Sequence, residues 1–192
     1  MKVLITGGAG FLGARLAREL LHRGSLRGQR IERLVLADLA ETGDAALRDD
    51  ARVQTQVGDL LAQIPALMAQ PFDAVFHLAS AVSAECEADF DLGLRSNLDT
   101  TRALLDACRA QAARGGPVPL FIFSSSVALY GSDPAVPLPA VVDDRTLPTP
   151  QSSYGIHKFI CEQLVADYTR KGHIDGRVAR LMTVSVRPGR PN

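Results

Sequence analysis

Tyr154 and Lys158 stand four residues apart in Pro150-Gln-Ser-Ser-Tyr-Gly-Ile-His-Lys158. On a helix that spacing puts both side chains on one face, and such a pair can move a proton. A free phenol ionises near pH ~10 and is a poor base at neutral pH. A neighbouring ammonium stabilises the phenolate, and a general base works best when its pKa approaches the working pH. Tyr-x-x-x-Lys also arises by chance on helices, so its companions decide. Phe123-Ser-Ser-Ser-Val-Ala-Leu-Tyr-Gly131 places Ser124, Ser125 and Ser126 at the end of a strand-like run. A hydroxyl there can hold a substrate oxygen while its charge changes.

A second constellation lies at the other end of the chain. Thr6-Gly-Gly-Ala-Gly-Phe-Leu-Gly13 follows an apolar run and opens an amphipathic segment. Gly7, Gly10 and Gly13 allow a tight turn, a close approach to a pyrophosphate and close helix packing; a Cβ would obstruct each. The free N–H groups of Phe11, Leu12 and Gly13 would then face the phosphates. In this context the glycines predict a dinucleotide site. Asp38 ends the second apolar run, 25 residues after Gly13. A carboxylate there hydrogen-bonds the adenosine ribose and repels a 2′-phosphate, which favours NAD over NADP; the other reading is a turn aspartate. Asp59, followed by Leu60, either meets the adenine amino group or caps a helix. His77-Leu-Ala-Ser80 leaves room for a cofactor beside Leu78 and Ala79, with His77 itself a satisfied strand histidine. Asn97 either binds a backbone carbonyl or a water in a proton path, or lies on a helix surface. Lys158 can also hold the nicotinamide ribose, and an oxidised nicotinamide would help Lys158 lower the phenol's pKa.

These residues need a scaffold. Apolar runs at Lys2–Thr6, 34–38, 52–57, 74–78, 120–124 and 178–184 predict strands. Helical periodicity falls between them, at Phe11–Arg23, 60–69, 94–114 and 152–171. Strand and helix in alternation mean right-handed crossovers and a parallel sheet covered on both faces. The expected fold is α/β: a doubly wound parallel sheet, the Rossmann arrangement, as one NAD-binding domain over residues 1–192. Residues 132–151 hold Pro134, Pro137, Pro139, Pro148 and Pro150. They predict an irregular loop on the ligand side of the sheet.

Composition bounds the partners. The chain has 192 residues, 46% of them hydrophobic, which is enough for one full core. A formal net charge of zero gives no electrostatic argument for nucleic acid or an anionic membrane. No apolar run reaches membrane-spanning length, and the N-terminus lacks signal-peptide architecture. Cys86, Cys108 and Cys161 lie far apart without metal-type spacing and read as reduced thiols. The expected location is cytoplasmic, and no metal site is expected.

Taken together, TGGAGFLG, Asp38, HLAS, FSSSVALYG and YGIHK resemble, in order and spacing, the N-terminal part of the extended short-chain dehydrogenases/reductases. That family includes sugar-nucleotide epimerases and dehydratases. The resemblance covers the whole chain and implies specific roles. The hydroxyl residue four positions before Tyr130 is the catalytic one, which selects Ser126. Tyr154 is the base, Lys158 its partner and NAD the cofactor. AVSAECEADFDLGLRSNLDTTRALLDAC, TPQSSYGIHKFICEQLVADYTRKGHIDGR and TVSVRPGRPN resemble members that oxidise a four-carbon sugar acid with NAD. Tyr154 would then take the proton of the C2 hydroxyl, Ser126 would hold that oxygen, and the hydride would pass to the nicotinamide. The alternatives are a sugar-nucleotide epimerase or dehydratase, and a non-catalytic dinucleotide sensor. Arg187 is a candidate for the substrate carboxylate, or an arginine in a surface turn; Ser80 and Ser83 are candidates for the substrate side. Family members are usually longer, with a small C-terminal substrate-binding domain expected to be absent or truncated after residue 192. The chain as given is therefore expected to bind NAD and turn over poorly. A homodimer through the two long helices is expected.

Overall fold

Val3, Leu4 and Ile5 are fully buried, as the central strand of a two-sided parallel sheet demands. In the computed structural model, which describes residues 1–182, they form β1 (Lys2–Thr6). The chain continues through α1 (Phe11–Arg23), a hairpin of β2 (Ser25–Leu26) and β3 (Gln29–Arg30), β4 (Arg33–Asp38) and α2 (Ala45–Asp49). Next come β5 (Val53–Val57), α3 (Leu60–Leu67), β6 (Ala74–His77), α4 (Ser83–Ala88) and α5 (Phe90–Gly93). A π-helical stretch, Leu94–Asp99, runs into α6 (Thr100–Ala113). β7 (Leu120–Ser126) leads into a single 3-10 turn, Val127–Leu129, and α7 (Ser153–Arg170) and β8 (Asp175–Leu181) close the described chain.

The six-stranded sheet is parallel throughout, in the order β5-β4-β1-β6-β7-β8. The chain therefore builds outward from β1 in one direction and then in the other. The reversal between β1 and β6 opens a crevice at the carboxyl ends of the strands. Alternate strand residues feed two cores. On one face Leu4, Val35, Val75, Phe121 and Phe123 pack with Leu104, Leu105 and Cys108 of α6 and Cys161 and Val165 of α7. On the other, Val3, Ile5, Leu34, Leu36 and Phe76 pack with Ala17 and Leu20 of α1 and Leu47 of α2. α1 stops at Gly24, whose left-handed backbone (φ 66°) directs its N–H to the Leu20 carbonyl.

Four expectations shift. Residues 25–32 contain a two-residue hairpin with Arg27 at φ 53°. α2 was not expected; Asp44 caps it by accepting from the Ala46 N–H at 3.0 Å. The helix expected over 94–114 is preceded by α4 and α5 and begins as a π-helix. β8 starts at Asp175 rather than at residue 178, because pairing with β7 extends through Gly176. Residues 132–151 are irregular, as the prolines demand, and the loop is pinched where Tyr130 pairs with Thr149.

Candidate active site

A cavity of about 920 Å³ occupies the crevice. One end is built by the turn after β1. Gly7 has φ 71°, and a Cβ there would lie 2.8 Å from the Ala79 backbone nitrogen. A Cβ on Gly13 would collide with the Gly7 carbonyl. Gly10 caps α1 without any side-chain partner for the first-turn N–H groups. Gly7, Gly10, Phe11, Leu12 and Gly13 all line the cavity.

Asp38 lines it too, and its carboxylate braces the glycine turn, accepting from the Ala9 N–H at 2.9 Å and the Leu39 N–H at 2.7 Å. Asp59 does two jobs at once. It caps α3 through the Ala62 N–H at 2.8 Å and pairs with Arg95 at 3.1 Å across the cavity mouth. Those contacts hold its carboxyl below the usual range. Leu60, Leu78, Ala79 and Ser80 line the wall; Ser83 is not among the lining residues.

Asn97 stands behind the wall rather than in it. It is buried, accepts from the Ala81 N–H at 2.8 Å and the Ser80 hydroxyl at 2.9 Å, and donates to the Ala81 carbonyl at 3.2 Å. Its amide thus shapes the segment after β6, and the helix-surface alternative is ruled out. His77 is a buried strand histidine, its two ring nitrogens meeting Thr6 Oγ1 at 2.7 Å and Thr101 Oγ1 at 2.9 Å.

Ser126, Tyr154 and Lys158 gather at the far end of the cavity. α7 begins at Ser153, capped by the Ser152 hydroxyl on the Gly155 N–H, so Tyr154 sits in its first turn and Lys158 one turn on. Lys158 is 3% exposed; its Nζ donates to the Ser124 carbonyl at 2.8 Å and lies 5.5 Å from the Tyr154 ring centroid. Burial lowers the Lys158 ammonium pKa to about 8. Tyr154 differs from expectation. Burial pushes its phenol above the usual value, and the Ser126 hydroxyl pulls the other way. The ammonium beside it does not by itself make the phenol acidic. Ser124 is used otherwise, its hydroxyl donating to the His77 carbonyl at 3.1 Å.

Sequence reasoning missed Arg95, Ser96, Glu85, Leu39 and Leu61, which also line the cavity. Their positions carry no motif; only the topology turns them inward. Arg187 lies outside the described residues. Among the described residues, no cluster of side chains could hold a metal ion, and no helix is long and apolar enough to cross a membrane.

The site fits an extended dinucleotide: a cradle that a Cβ would fill, uncapped N–H groups at α1, a carboxylate at the end of β4 and a long crevice leading to a phenol. The sequence model of the NAD dependent epimerase/dehydratase family matches residues 3–189. The chain is 54% identical to the D-erythronate dehydrogenase of Cupriavidus necator and 43% identical to that of Haemophilus influenzae. Each alignment covers 100% of this chain and 58% of the relative. Among solved structures, the nucleoside-diphosphate-sugar epimerase from Agrobacterium tumefaciens superposes with a TM-score of 0.91 at 40% identity, over 100% of this chain and 55% of that one. The UDP-glucose 4-epimerase from Brucella ovis, in complex with NAD, gives 0.73 at 28% identity, over 93% and 51%. The chain thus spans a little over half the length of the proteins it matches.

Proposed function

The chain belongs to the NAD-dependent epimerase/dehydratase family, and from that premise we propose that it serves an NAD-dependent dehydrogenase oxidising the C2 hydroxyl of a four-carbon sugar acid, D-erythronate to 2-oxo-erythronate. The observation that carries this reading is the likeness over the whole chain to two D-erythronate dehydrogenases. The placement of Ser126, Tyr154 and Lys158 on one wall of the cavity supports it.

The residues divide the work by position. Gly7, Gly10, Phe11, Leu12 and Gly13 hold the pyrophosphate with backbone N–H groups. Asp38 takes the adenosine ribose and disfavours a 2′-phosphate. Asp59 and Leu60 flank the adenine, and Leu78 and Ala79 floor the crevice. Asn97 supports that floor through Ala81. Bound NAD⁺ supplies the hydride acceptor and a positive charge near the phenol. Lys158 holds the nicotinamide ribose, and Tyr154 accepts the proton of the substrate hydroxyl. Ser126 donates to the same oxygen and keeps it in place. A carboxylate on the substrate calls for a cation or several donors; Arg187 remains the candidate, with Ser80 on the substrate side.

A second reading, a sugar-nucleotide epimerase, draws on the likeness to the Agrobacterium enzyme. The two differ in net chemistry. A dehydrogenase accumulates NADH, whereas an epimerase returns its hydride and shows none. The decisive assay follows absorbance of NADH with NAD⁺ and D-erythronate or a UDP-hexose. Growth with the sugar acid alone supports the dehydrogenase; UDP-hexose conversion without net NADH refutes it. Tyr154→Phe should lower turnover by about 10²–10⁴-fold while NAD⁺ still binds by calorimetry.

The expected homodimer pairs the two long helices; Ile156 and Ile160, exposed one turn apart on α7, support it, and sedimentation tests it. A cytoplasmic location fits three buried, unpaired cysteines.

A further inference from the structure

Arg180 is the most heavily engaged cation among the described residues, and nothing in the proton-transfer scheme uses it. Its guanidinium grips Glu162 in a fork: Nε to Oε1 at 3.0 Å and Nη2 to Oε2 at 2.7 Å. Glu162 is only 5% exposed. A buried carboxylate without such a partner would be strongly disfavoured, so the pair is set by geometry and not by chance surface charge. The same guanidinium donates through Nη1 to the Tyr130 hydroxyl and lies 5.4 Å from that ring's centroid. Tyr130 passes the tether on, donating to the Asp143 carbonyl at 2.9 Å inside the proline-rich loop.

Three elements meet at this guanidinium, and each carries part of the site. Arg180 is on β8, paired in register with Ser125, and the next pair is Ser126 with Leu181. Leu181 and Met182 line the cavity. Glu162 is on α7, one turn beyond Lys158. Tyr130 ends the 3-10 turn that starts at Ser126, and the Ser126 oxygen itself accepts the Ala128 N–H at 3.1 Å. That turn rests on α7 at Gly155, where a Cβ would strike the Ala128 carbonyl.

We propose that Arg180 is a positioning residue: by gripping Glu162 and Tyr130 together it locks the end of β7 against α7 and holds the Ser126 hydroxyl against the Tyr154 phenol. The inference rests on the reading of Ser126 and Tyr154 given above. A lysine could reach one partner but could not make the fork and the aromatic contact together. Arg180 sits near the end of the edge strand β8, and neither it nor Glu162 belongs to the two apolar cores, so the network bears on the site more than on the cores.

The test reads the phenol directly. The chain labelled with ¹³Cζ-tyrosine gives a signal for residue 154, assigned by its loss in Tyr154→Phe. Its alkaline titration is followed within the range where far-UV dichroism stays native. Arg180→Lys and Tyr130→Phe should each raise the midpoint of Tyr154, because the serine contact that lowers it is loosened. In a Ser126→Ala background neither variant should move it further. An unmoved midpoint alongside a lower Tm overturns the proposal, as does a shift that persists without Ser126. Tyr130→Phe removes one hydroxyl only and decides the matter if Arg180→Lys fails to fold. In turnover the same variants should lower kcat about tenfold with KM for NAD⁺ unchanged; a loss confined to KM also overturns it. The titration needs no substrate. If it succeeds while Tyr154→Phe still reduces NAD⁺, the functional reading fails and the positioning does not.

Discussion

Tyr154 and Lys158 were legible as a pair from their spacing, but their electrostatics were not. A buried ammonium is held near an aromatic ring and a carbonyl, and burial costs both titrating groups their charged forms. In the nucleotide-free protein the phenol therefore stays protonated at neutral pH; under the proposed function, the positive ring of NAD⁺ would have to do the lowering. Lys158 also leaves a mark on stability. Its folded pKa, about 8, lies below its ordinary 10.5. Across that window the unfolded chain binds a proton that the folded chain has released, so this residue's contribution to stability rises with pH. Urea midpoints measured from neutral to alkaline pH should climb more in the natural protein than in Lys158→Met. Equal slopes would show that Lys158 is not held in the low-dielectric setting described.

At the element scale, the segment from Ser83 to Asp99 decides how the cavity wall is made. Along the π-helical stretch Thr100 donates to the Arg95 carbonyl five residues back, and Thr101 donates to the Asn97 carbonyl four back. This aims Asn97 at Ala81 and leaves Arg95 over Asp59. Asn97→Ala would strip partners from the buried Ala81 amide and its carbonyl, at a cost of about 1–3 kcal/mol. Chemical denaturation measures that, and weaker NAD⁺ binding should accompany it. Such a segment was only half legible. The strands of the main sheet and the helix Phe11–Arg23 could be read because periodicity, glycine caps and β-branched runs agree. The hairpin at 25–30 has two-residue strands with no apolar signature. The extension of β8 to Asp175 and Gly176 runs against propensity and exists because β7 offers an edge. α2, capped by Asp44, went unread because five residues show no period. The site followed the same division. The glycines, Asp38, Tyr154 and Lys158 carry motifs, whereas Arg95, Glu85 and the Arg180–Glu162 pair are brought together only by tertiary folding.

Across the whole molecule, one buried group gives stability an acid limit. His77 links β1 to α6 through Thr6 and Thr101, and burial, with help from the Lys158 cation, depresses its pKa from 6.5 to about 3. The unfolded chain then takes up a proton between those values while the folded chain does not. Stability present above pH 6.5 should be lost as pH falls, on the order of a few kcal/mol by pH 3. His77→Gln, compared with the natural protein by thermal unfolding in steps from pH 7 to 4, should flatten that decline. An unchanged slope would place the acid-sensitive groups elsewhere. The strand order has a further consequence for biosynthesis. β1, β4 and β5 are neighbours in the sheet and also come first along the chain. As the ribosome releases the polypeptide, the half that would cradle an adenine nucleotide can assemble before the serine, the phenol and their tether have been translated. A metabolite abundant in the cell could thus act as a template for the nascent chain, waiting for the catalytic half to close over it.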